Sequence, residues 1–214
     1  YKDPLDRRFH AQPNACDVCG PHVELKDKTG APVSCEDEIA ELLRQIQGGK
    51  IAAVKGLGGF HLVCDAANAV AVSELRRRKH RPFKPFAVMT LNDLSASRFV
   101  RISEKASKEL HSPQAPIVLC PKTNDADRLL PGIAPELNRI GIMMPYTPIH
   151  WLLFFEAIGR PEDPDWYKKE CDLVLVMTSA NAGGEPLVIG NDEAVQKLDG
   201  IADLFLSHNR DIMI

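Results

Sequence analysis

RRRKHRPFKPFAVMT, residues 76–90, is the stretch of sequence on which the prediction of the fold depends. Its first half concentrates Arg and Lys in a chain whose formal net charge is -3. Its second half contains FAVMT (86–90), which is typical of a buried strand. Pro82 and Pro85 stiffen the junction between the two halves. The side chains that suit a polyphosphate at this rigid junction are Lys79, Arg81 and Lys84.

The same basic run has an alternative interpretation that needs no ligand. Arg and Lys are favourable at the negative C-terminal end of a helix dipole, where they are solvated. The residues after the run favour the phosphate site, because a stiff connection to a buried strand holds the cations in place.

The composition limits the class of protein. With 214 residues, of which 44% are hydrophobic, the chain is long enough for one large domain and a small appendage. It has no apolar stretch of about 18 residues and no signal peptide, although its start looks cut, so we expect no contact with a membrane. Three cysteines in or beside apolar runs, Cys64, Cys120 and Cys171, predict reduced thiols and a cytoplasmic protein. A pI near 6.2 argues against general nucleic-acid binding, but not against a local basic groove.

The N-terminal residues 1–34 are polar and rich in proline, which predicts an irregular segment with little core. Cys16 and Cys19 form a C-x-x-C knuckle, which is half of a tetrahedral zinc site. No second C-x-x-C follows, so the zinc site is expected to be incomplete in this chain. The alternative is a divided zinc finger with two idle thiols.

From residue 35 onward, predicted helices and apolar strands alternate, which favours an α/β sheet covered on both faces. Residues 122–138 are expected to be a surface loop. The predicted helices are 35–47 with Ser34 as N-cap, 68–80 with Asn68 as N-cap and Val70 on the apolar side, 92–98, 104–111, 148–158 and 192–198. The predicted strands are 50–55, 86–90, 116–120, 139–145, 172–181 and 202–209.

Two polar segments adjoin predicted strands and are candidates for ligand binding. GLGGFH (56–61) is a glycine-rich loop whose backbone can approach a ligand, or a plain tight turn. TSANAGG (178–184) opens at the end of an apolar strand, the place where open α/β sheets bind ligands. With the basic run, these segments converge in our prediction on one pocket for a nucleotide.

Three motifs in this order resemble the YrdC-like domain family. They are F-x-L-x-C-D (60–65), K-x-R (79–81) with Lys84, and T-S-A-N (178–181). The resemblance covers residues 35–214 and implies a twisted mixed sheet of the YrdC/RibB type, flanked by helices. It also implies an adenylate-forming enzyme that uses ATP and a carbamate-type acid.

Other motifs are similar to the HypF family of hydrogenase-maturation carbamoyltransferases. They are C-x-x-C-G-P (16–21), K-G-L-G-G-F-H-L (55–62) and M-P-Y-T-P-I-H (144–150). Threonylcarbamoyl-AMP synthases carry P-T-E where this chain has residues 55–62, and arginine where it has Met143, so a threonine substrate is not expected. The HypF resemblance implies a partial zinc-knuckle segment at 1–34 and a C-terminally truncated YrdC-like domain at 35–214.

The chemistry implied by this resemblance starts from carbamoyl phosphate. Carbamate released from it attacks ATP and yields carbamoyl-AMP, with Mg²⁺ sharing the charge of the phosphates. The complete enzyme then passes the carbamoyl group to a HypE-type acceptor protein, toward the cyanide ligands of [NiFe] hydrogenase. This chain is expected to carry out only the partial reaction.

The resemblance also implies roles for individual residues. The expected phosphate ligands are Lys79, Arg81 and Lys84, and the groups that hold the adenylate are Thr178, Ser179 and Asn181. Lys55 and His61 are expected to face the carbamoyl group, and with Lys79 and Arg81 they form the predicted catalytic set. Additional candidates are Arg139, His150 and Arg210.

Three rival functions stay open at this point. YrdC-like domains have a basic concave face that has been linked to double-stranded RNA, although only Phe83 and Phe86 supply aromatic rings near the cations. A structural zinc module for domain docking is a second possibility. A relative of the threonylcarbamoyl-AMP synthases is a third, and the zinc knuckle argues against a related antibiotic O-carbamoyltransferase.

Overall fold

The computed structural model describes residues 20–181 and 186–212. The strands are β1 (Val23–Asp27), β2 (Ala52–Lys55), β3 (Phe60–Asp65), β4 (Ala87–Met89), β5 (Val118–Pro121), β6 (Arg139–Met143), β7 (Leu175–Ser179) and β8 (Leu204–His208). The helices are α1 (Glu38–Gln47), α2 (Ala69–Arg78), α3 (Asp93–Ala96), α4 (Glu104–Leu110), α5 (Ala126–Leu129), α6 (Pro148–Ala157) and α7 (Asn191–Lys197), with a 3₁₀ turn at Trp166–Lys168.

All the strands of the described residues belong to one sheet, in the order β1-β8-β2-β3-β7-β4-β6-β5. Neighbours β8–β2 and β4–β6 are parallel, and the other neighbouring strands are antiparallel. The mixed α/β sheet that the resemblance implied is therefore confirmed.

Helices cover both faces of the sheet, as expected from the apolar strands. One core contains α2 and α7 and includes Leu75 and Ala194. The opposite core contains α1 and α6 and includes Leu42 and Phe154. Side chains alternate between the two cores along each strand, because successive residues of a strand point to opposite faces. Within the described ranges, none of these helices has the length and apolarity that crossing a bilayer requires.

Several sequence predictions about individual elements were wrong. Residues 23–27 lie in the segment predicted to be irregular, yet they form β1, which pairs with β8 and buries Leu25. The boundary predicted at residue 34 stays a prediction, since residues 1–19 lie outside the described part. Strand β3 was not predicted, because the glycine-rich segment before it was interpreted as a ligand-binding loop. The N-cap of α1 is Asp37 and not Ser34. The carboxylate of Asp37 accepts from the backbone N–H groups of Ile39 and Ala40.

Burial at the sheet margin also differs from the prediction. The strand predicted at 116–120 is the edge strand β5, so Ile117 and Leu119 are 56% and 61% exposed. Val70 is 79% exposed, because the apolar side of α2 is formed by Ala71, Val72 and Leu75. The loop predicted at 122–138 contains α5 and anchors itself in the core through Leu130 and Ile133.

The end of α2 directs the basic run toward the sheet. His80 has φ +49, in the left-handed region. Its N–H donates to the carbonyl of Arg77 at 3.2 Å, and the N–H of Arg81 donates to the carbonyl of Arg76 at 3.0 Å. This is the Schellman pattern, in which the left-handed position is usually glycine. The turn places Lys79 and Arg81 on either side of a sharp reversal of the chain.

Substitutions of His80 test this turn, because a β-branched side chain is poorly tolerated at positive φ. His80→Val is expected to have a free energy of unfolding about 1 kcal/mol below that of His80→Gly. Urea denaturation of the two variants measures the difference. Equal stability, or a more stable valine variant, would contradict the described helix end.

Candidate active site

A cleft of about 630 Å³ opens on the sheet face that carries α6. Its floor is formed by side chains at alternate positions of neighbouring strands, where Ala87 lies opposite both Met177 and Gly141. Leu119 lies opposite Gly141 at the edge of the sheet. The remaining apolar walls are Ile117, Leu137 and Met143.

The residues at the centre of this floor have a very small side chain or none. A Cβ atom added at Gly141 would lie 2.8 Å from Cγ2 of Ile117 and 3.5 Å from Cβ of Ala87. The space that a side chain at 141 would fill is therefore occupied by Ile117, which packs directly against the floor. A flat apolar slot of this kind suits a planar ring.

The predicted convergence of the basic run and the T-S-A-N turn is found at one end of the cleft. Nζ of Lys79 donates to the carbonyl of Ser179 at 2.6 Å and to that of Asn181 at 3.3 Å. Nη1 of Arg81 donates to Oγ1 of Thr178 at 3.0 Å. Oγ of Ser179 in turn donates to Oδ1 of Asn181 at 2.6 Å. Cations from α2 and polar groups from β7 are thus held in one cluster.

The cluster carries positive charge that no acidic side chain neutralises among the described residues. Lys79 has only backbone carbonyls as partners, and burial together with the nearby Arg81 and Lys84 lowers its pKa to about 8. Burial and the charge of Arg76 also lower the pKa of Arg81. A bound anion would relieve both effects, because an opposite charge favours the protonated form.

Three hydrogen bonds hold the guanidinium of Arg81 in place, and further N–H groups remain available for a ligand. Besides Thr178, its guanidinium donates to the carbonyls of Pro85 at 2.5 Å and Lys84 at 3.3 Å. It lies 4.9 Å from the centre of the Phe86 ring. Since a guanidinium has five N–H groups, two remain for a ligand.

The remainder of the basic run has structural partners. Arg77 pairs with Glu74 on the surface of α2. Arg78 pairs with Glu74 and with Asp203 beside β8. The helix-end interpretation therefore applies to these two residues, and Lys84, which lines the cleft, belongs with Lys79 and Arg81.

His61 lies on the cleft wall, directly opposite Ser179 in the β3–β7 ladder. Its ring packs on Gly56, where an added Cβ would come within 3.1 Å of Nδ1. His150, at the first turn of α6, lies behind it at 6.5 Å between ring centres. Burial lowers the pKa of both, that of His150 to about 3 with a further contribution from His61. Both rings are neutral at pH 7.

Lys55 does not share the position of His61, contrary to the expectation that both face one ligand. Lys55 pairs with Phe60 across the β2–β3 hairpin, and alternation directs it away from the face of His61. Its Nζ donates to the carbonyls of His208 at 3.3 Å and Arg210 at 2.9 Å. Lys55 therefore ties the end of β2 to the end of β8.

Of the other residues that were predicted to belong to the site, only some lie at the cleft. Arg139 lines the cleft at the sheet edge. Arg210 is exposed and does not belong to the described lining of the cleft; its carbonyl accepts from Lys55. The glycine-rich segment is the tight hairpin turn between β2 and β3, closed by the Gly56 N–H and the Gly59 carbonyl at 2.8 Å. Cys16 and Cys19 lie outside the described residues.

Sequence reasoning missed the floor of the cleft. Ala87, Gly141 and Met177 all lie inside predicted strands, where they were read only as core. The available signal was the pair of small residues at facing positions, which leaves a gap where larger apolar side chains would fill the surface.

Comparison with known proteins agrees with this geometry. A family model described as Telomere recombination, which represents the Sua5, YciO and YrdC proteins, matches residues 44–214. The chain belongs to the Sua5/YciO/YrdC family. A second model, described as the HypF finger, matches residues 1–25, which contain Cys16 and Cys19.

Members of the family named HypF are similar over most of this chain. Carbamoyltransferase HypF2 of Cupriavidus necator is 53% identical over 190 residues, which is 89% of this chain and 24% of that protein. Carbamoyltransferase HypF of Rhodobacter capsulatus is 48% identical over 212 residues, or 99% of this chain and 26% of that protein. The expected resemblance to HypF is confirmed, and the chain spans about a quarter of the length of these relatives.

Solved structures of the family show the same fold. The crystal structure of full-length HypF in the phosphate- and nucleotide-bound form has a TM-score of 0.81 and 43% identity, and covers 99% of this chain and 26% of its own. P. abyssi Sua5 complexed with L-threonine has a TM-score of 0.60 at 20% identity, over 77% of this chain and 45% of its own, and is similar in fold alone.

The buried histidine next to His61 predicts how stability depends on pH. The pKa of His150 is about 3 in the folded chain and near 6.5 when unfolded, so the unfolded state binds more protons between these values. The free energy of unfolding is therefore expected to fall below pH 6.5, by up to about 1.4 kcal/mol per pH unit from this group.

Urea denaturation between pH 4.5 and 7 of the wild type and His150→Gln measures this contribution. The variant should show a shallower dependence on pH. An unchanged slope in His150→Gln would contradict the buried neutral state of His150.

Proposed function

We propose that this cleft binds ATP and that the domain joins carbamate to its α-phosphate, forming carbamoyl-AMP. The observation that carries the proposal is the meeting of Lys79 and Arg81 with the Thr178–Asn181 turn beside an apolar cleft. A nucleoside triphosphate needs both features, since its base is planar and its tail is anionic. Similarity to HypF carbamoyltransferases, one of them in a nucleotide-bound structure, supports the choice of ligand.

In this proposal the base lies on Ala87, against the apolar side chains of Ile117 and Leu119 at the sheet edge. The phosphates extend toward the cationic end of the cleft. There Lys79 has a third ammonium hydrogen beyond its two carbonyl partners, and Arg81 has two N–H groups in reserve. Lys84 completes the set, and the residues assigned to the ribose and α-phosphate are Thr178, Ser179 and Asn181.

The proposed reaction is a substitution at phosphorus. A carbamate oxygen forms a bond to the α-phosphorus, the bond from that phosphorus to the β-bridging oxygen breaks, and pyrophosphate leaves with the electron pair. Such reactions depend mainly on positioning and on neutralising charge, which anchored cations perform. No protein nucleophile is required, and burial raises the pKa of Cys64 to about 12, so this thiol belongs to the core.

His61 is the residue that we assign to the carbamate end, because it lies opposite Ser179 on the cleft wall. Met143 closes the same face with an apolar side chain, which supports a small acid in place of threonine. Lys55 has no direct role in this scheme, and Arg139 borders the nucleotide from the sheet edge. The carbamate itself is derived from carbamoyl phosphate.

Metal ions enter the proposal in two ways. The described residues contain no group of three His, Cys, Asp or Glu side chains able to hold a metal. Any Mg²⁺ would arrive with the phosphates, and no step is assigned to it. Cys16 and Cys19, inside the match to the HypF finger, are the proposed zinc ligands.

The wider role is proposed by similarity to the HypF relatives. The chain would be one part of a carbamoyltransferase that delivers the carbamoyl group to a HypE-type acceptor for hydrogenase maturation. The free thiols of Cys35, Cys64, Cys120 and Cys171 support a reducing compartment such as the cytoplasm. Double-stranded RNA is the competing ligand, and the narrow apolar cleft favours a mononucleotide over a duplex.

The assay that tests the function follows pyrophosphate release from ATP by the 214-residue chain, with and without carbamate. Release is expected only when carbamate is present. Lys79→Ala and Arg81→Ala are each expected to weaken ATP binding by about 1–3 kcal/mol in calorimetry, because each removes charged hydrogen bonds.

Arg77→Ala is the matched control, since Arg77 lies in the same run but, among the described residues, its side chain pairs only with Glu74. It should bind ATP as the wild type does. Unchanged affinity in both Lys79→Ala and Arg81→Ala would refute the assignment. Salt-dependent binding of duplex RNA that ATP does not displace would favour the RNA alternative.

The lowered pKa of Lys79 predicts a pH dependence of ATP binding. The free ammonium loses its proton above about pH 8, whereas a bound phosphate raises its pKa again. Affinity should therefore be level below pH 8 and fall by up to about tenfold per pH unit above it. Calorimetry at pH 9 in buffers of different ionisation enthalpy should detect proton uptake. Lys79→Arg should abolish that uptake, and level wild-type affinity up to pH 10 would contradict the prediction.

A further inference from the structure

Arg76 makes an unusual set of contacts at the start of the basic run. Its guanidinium donates to the carbonyls of Arg81 at 2.9 Å, Pro82 at 3.2 Å and Lys84 at 3.0 Å. It also donates to Gly132, at 2.9 Å from Nε and 2.6 Å from Nη2, and to Ile133 at 3.1 Å. One side chain thus connects the loop 81–85 to the turn at 132–133.

The loop 81–85 has little else to hold its backbone in place. Pro82 and Pro85 have no N–H, and within the described residues the N–H groups of Phe83 and Lys84 donate to no protein acceptor. The carbonyls of the loop accept only from two guanidinium groups, those of Arg76 and Arg81. The shape of the loop therefore depends on these two side chains.

Arg76 itself is not a ligand-binding group. All five of its N–H groups are needed for the carbonyls that they contact, and Arg76 does not line the cleft. It packs 4.5 Å from the centre of the Phe86 ring, against which Arg81 also packs at 4.9 Å. The N–H of Phe86 donates to the carbonyl of Ile133 at 2.9 Å, which fixes the end of the loop to the same turn.

We propose that Arg76 is a positioning residue, which shapes the loop 81–85 so that Arg81 and Lys84 face the phosphates of the ligand. The inference rests on the proposed function, because it concerns the same phosphate-binding end of the cleft. Arg76 turns the loop carbonyls toward itself and so leaves the N–H groups and cationic side chains of the loop for an anion. Lysine keeps the charge, but its three N–H groups share one nitrogen atom and cannot reach all five carbonyls that the planar guanidinium contacts.

The test compares binding of pyrophosphate and AMP to wild type, Arg76→Lys and Arg77→Lys. Arg76→Lys is expected to weaken pyrophosphate binding about tenfold or more, as for several lost charged hydrogen bonds, and AMP binding much less. Arg77→Lys should match the wild type for both ligands. Near-UV circular dichroism establishes that each variant is folded at the temperature used.

The outcomes separate this inference from the proposed function. If the wild type binds neither ligand, the proposed function fails. If the wild type binds both and Arg76→Lys binds pyrophosphate equally well, the positioning role is wrong. If Arg76→Lys loses both ligands to the same extent while folded, Arg76 supports the domain generally and not the loop.

A measurement on the wild type covers the case in which Arg76→Lys does not fold. In nitrogen-15 spectra of the arginine side chains, the Nε–H of Arg76 should exchange slowly with water, because it is bonded to Gly132. Saturating pyrophosphate should shift the Nε–H signal of Arg81 more than that of Arg76. A larger shift at Arg76 would indicate direct binding and would overturn the positioning role.

Discussion

The contact between the Lys79 ammonium and the carbonyls of Ser179 and Asn181, at the end of β7, is the interaction on which the site depends. It joins side chain and backbone across 100 residues of sequence and holds a cation where no described carboxylate neutralises it. Removing a cation from water without an opposite charge is unfavourable, which is why the pKa of Lys79 falls to about 8. The folded chain thus holds a cation in a position that favours the binding of an anion.

The sheet topology makes this contact possible. Strand β4 starts directly after the basic loop and runs antiparallel to β7, so the entry of one strand lies beside the exit of the other. The register that places Ala87 opposite Met177 also brings Arg81 to Thr178. On the opposite side of β7, β3 places His61 opposite Ser179. A central strand therefore carries the polar turn, and its two neighbours supply the cations and the histidine.

Much of this arrangement could be predicted from the sequence, because apolar runs, prolines and the order of three motifs are local signals. The convergence of Lys79 and Arg81 with the T-S-A-N turn was predicted correctly. Lys55 was misplaced because strand alternation depends on a hairpin register that the glycine-rich segment concealed. Strand β1 was missed because it is an edge strand in a polar segment, and the cleft floor because small residues in a strand resemble ordinary core. The contacts of Arg76 could not be predicted from the sequence, because its partners are backbone carbonyls, which no residue type indicates.

A crystal structure of the chain with a non-hydrolysable ATP analogue tests the central claim most directly. The account predicts the triphosphate within hydrogen-bonding distance of Lys79 and Arg81, the base against Ala87 and Ile117, and Ser179 beside the α-phosphate. A nucleotide bound away from the T-S-A-N turn, or phosphates directed toward Lys55 on the other face of the sheet, would contradict it.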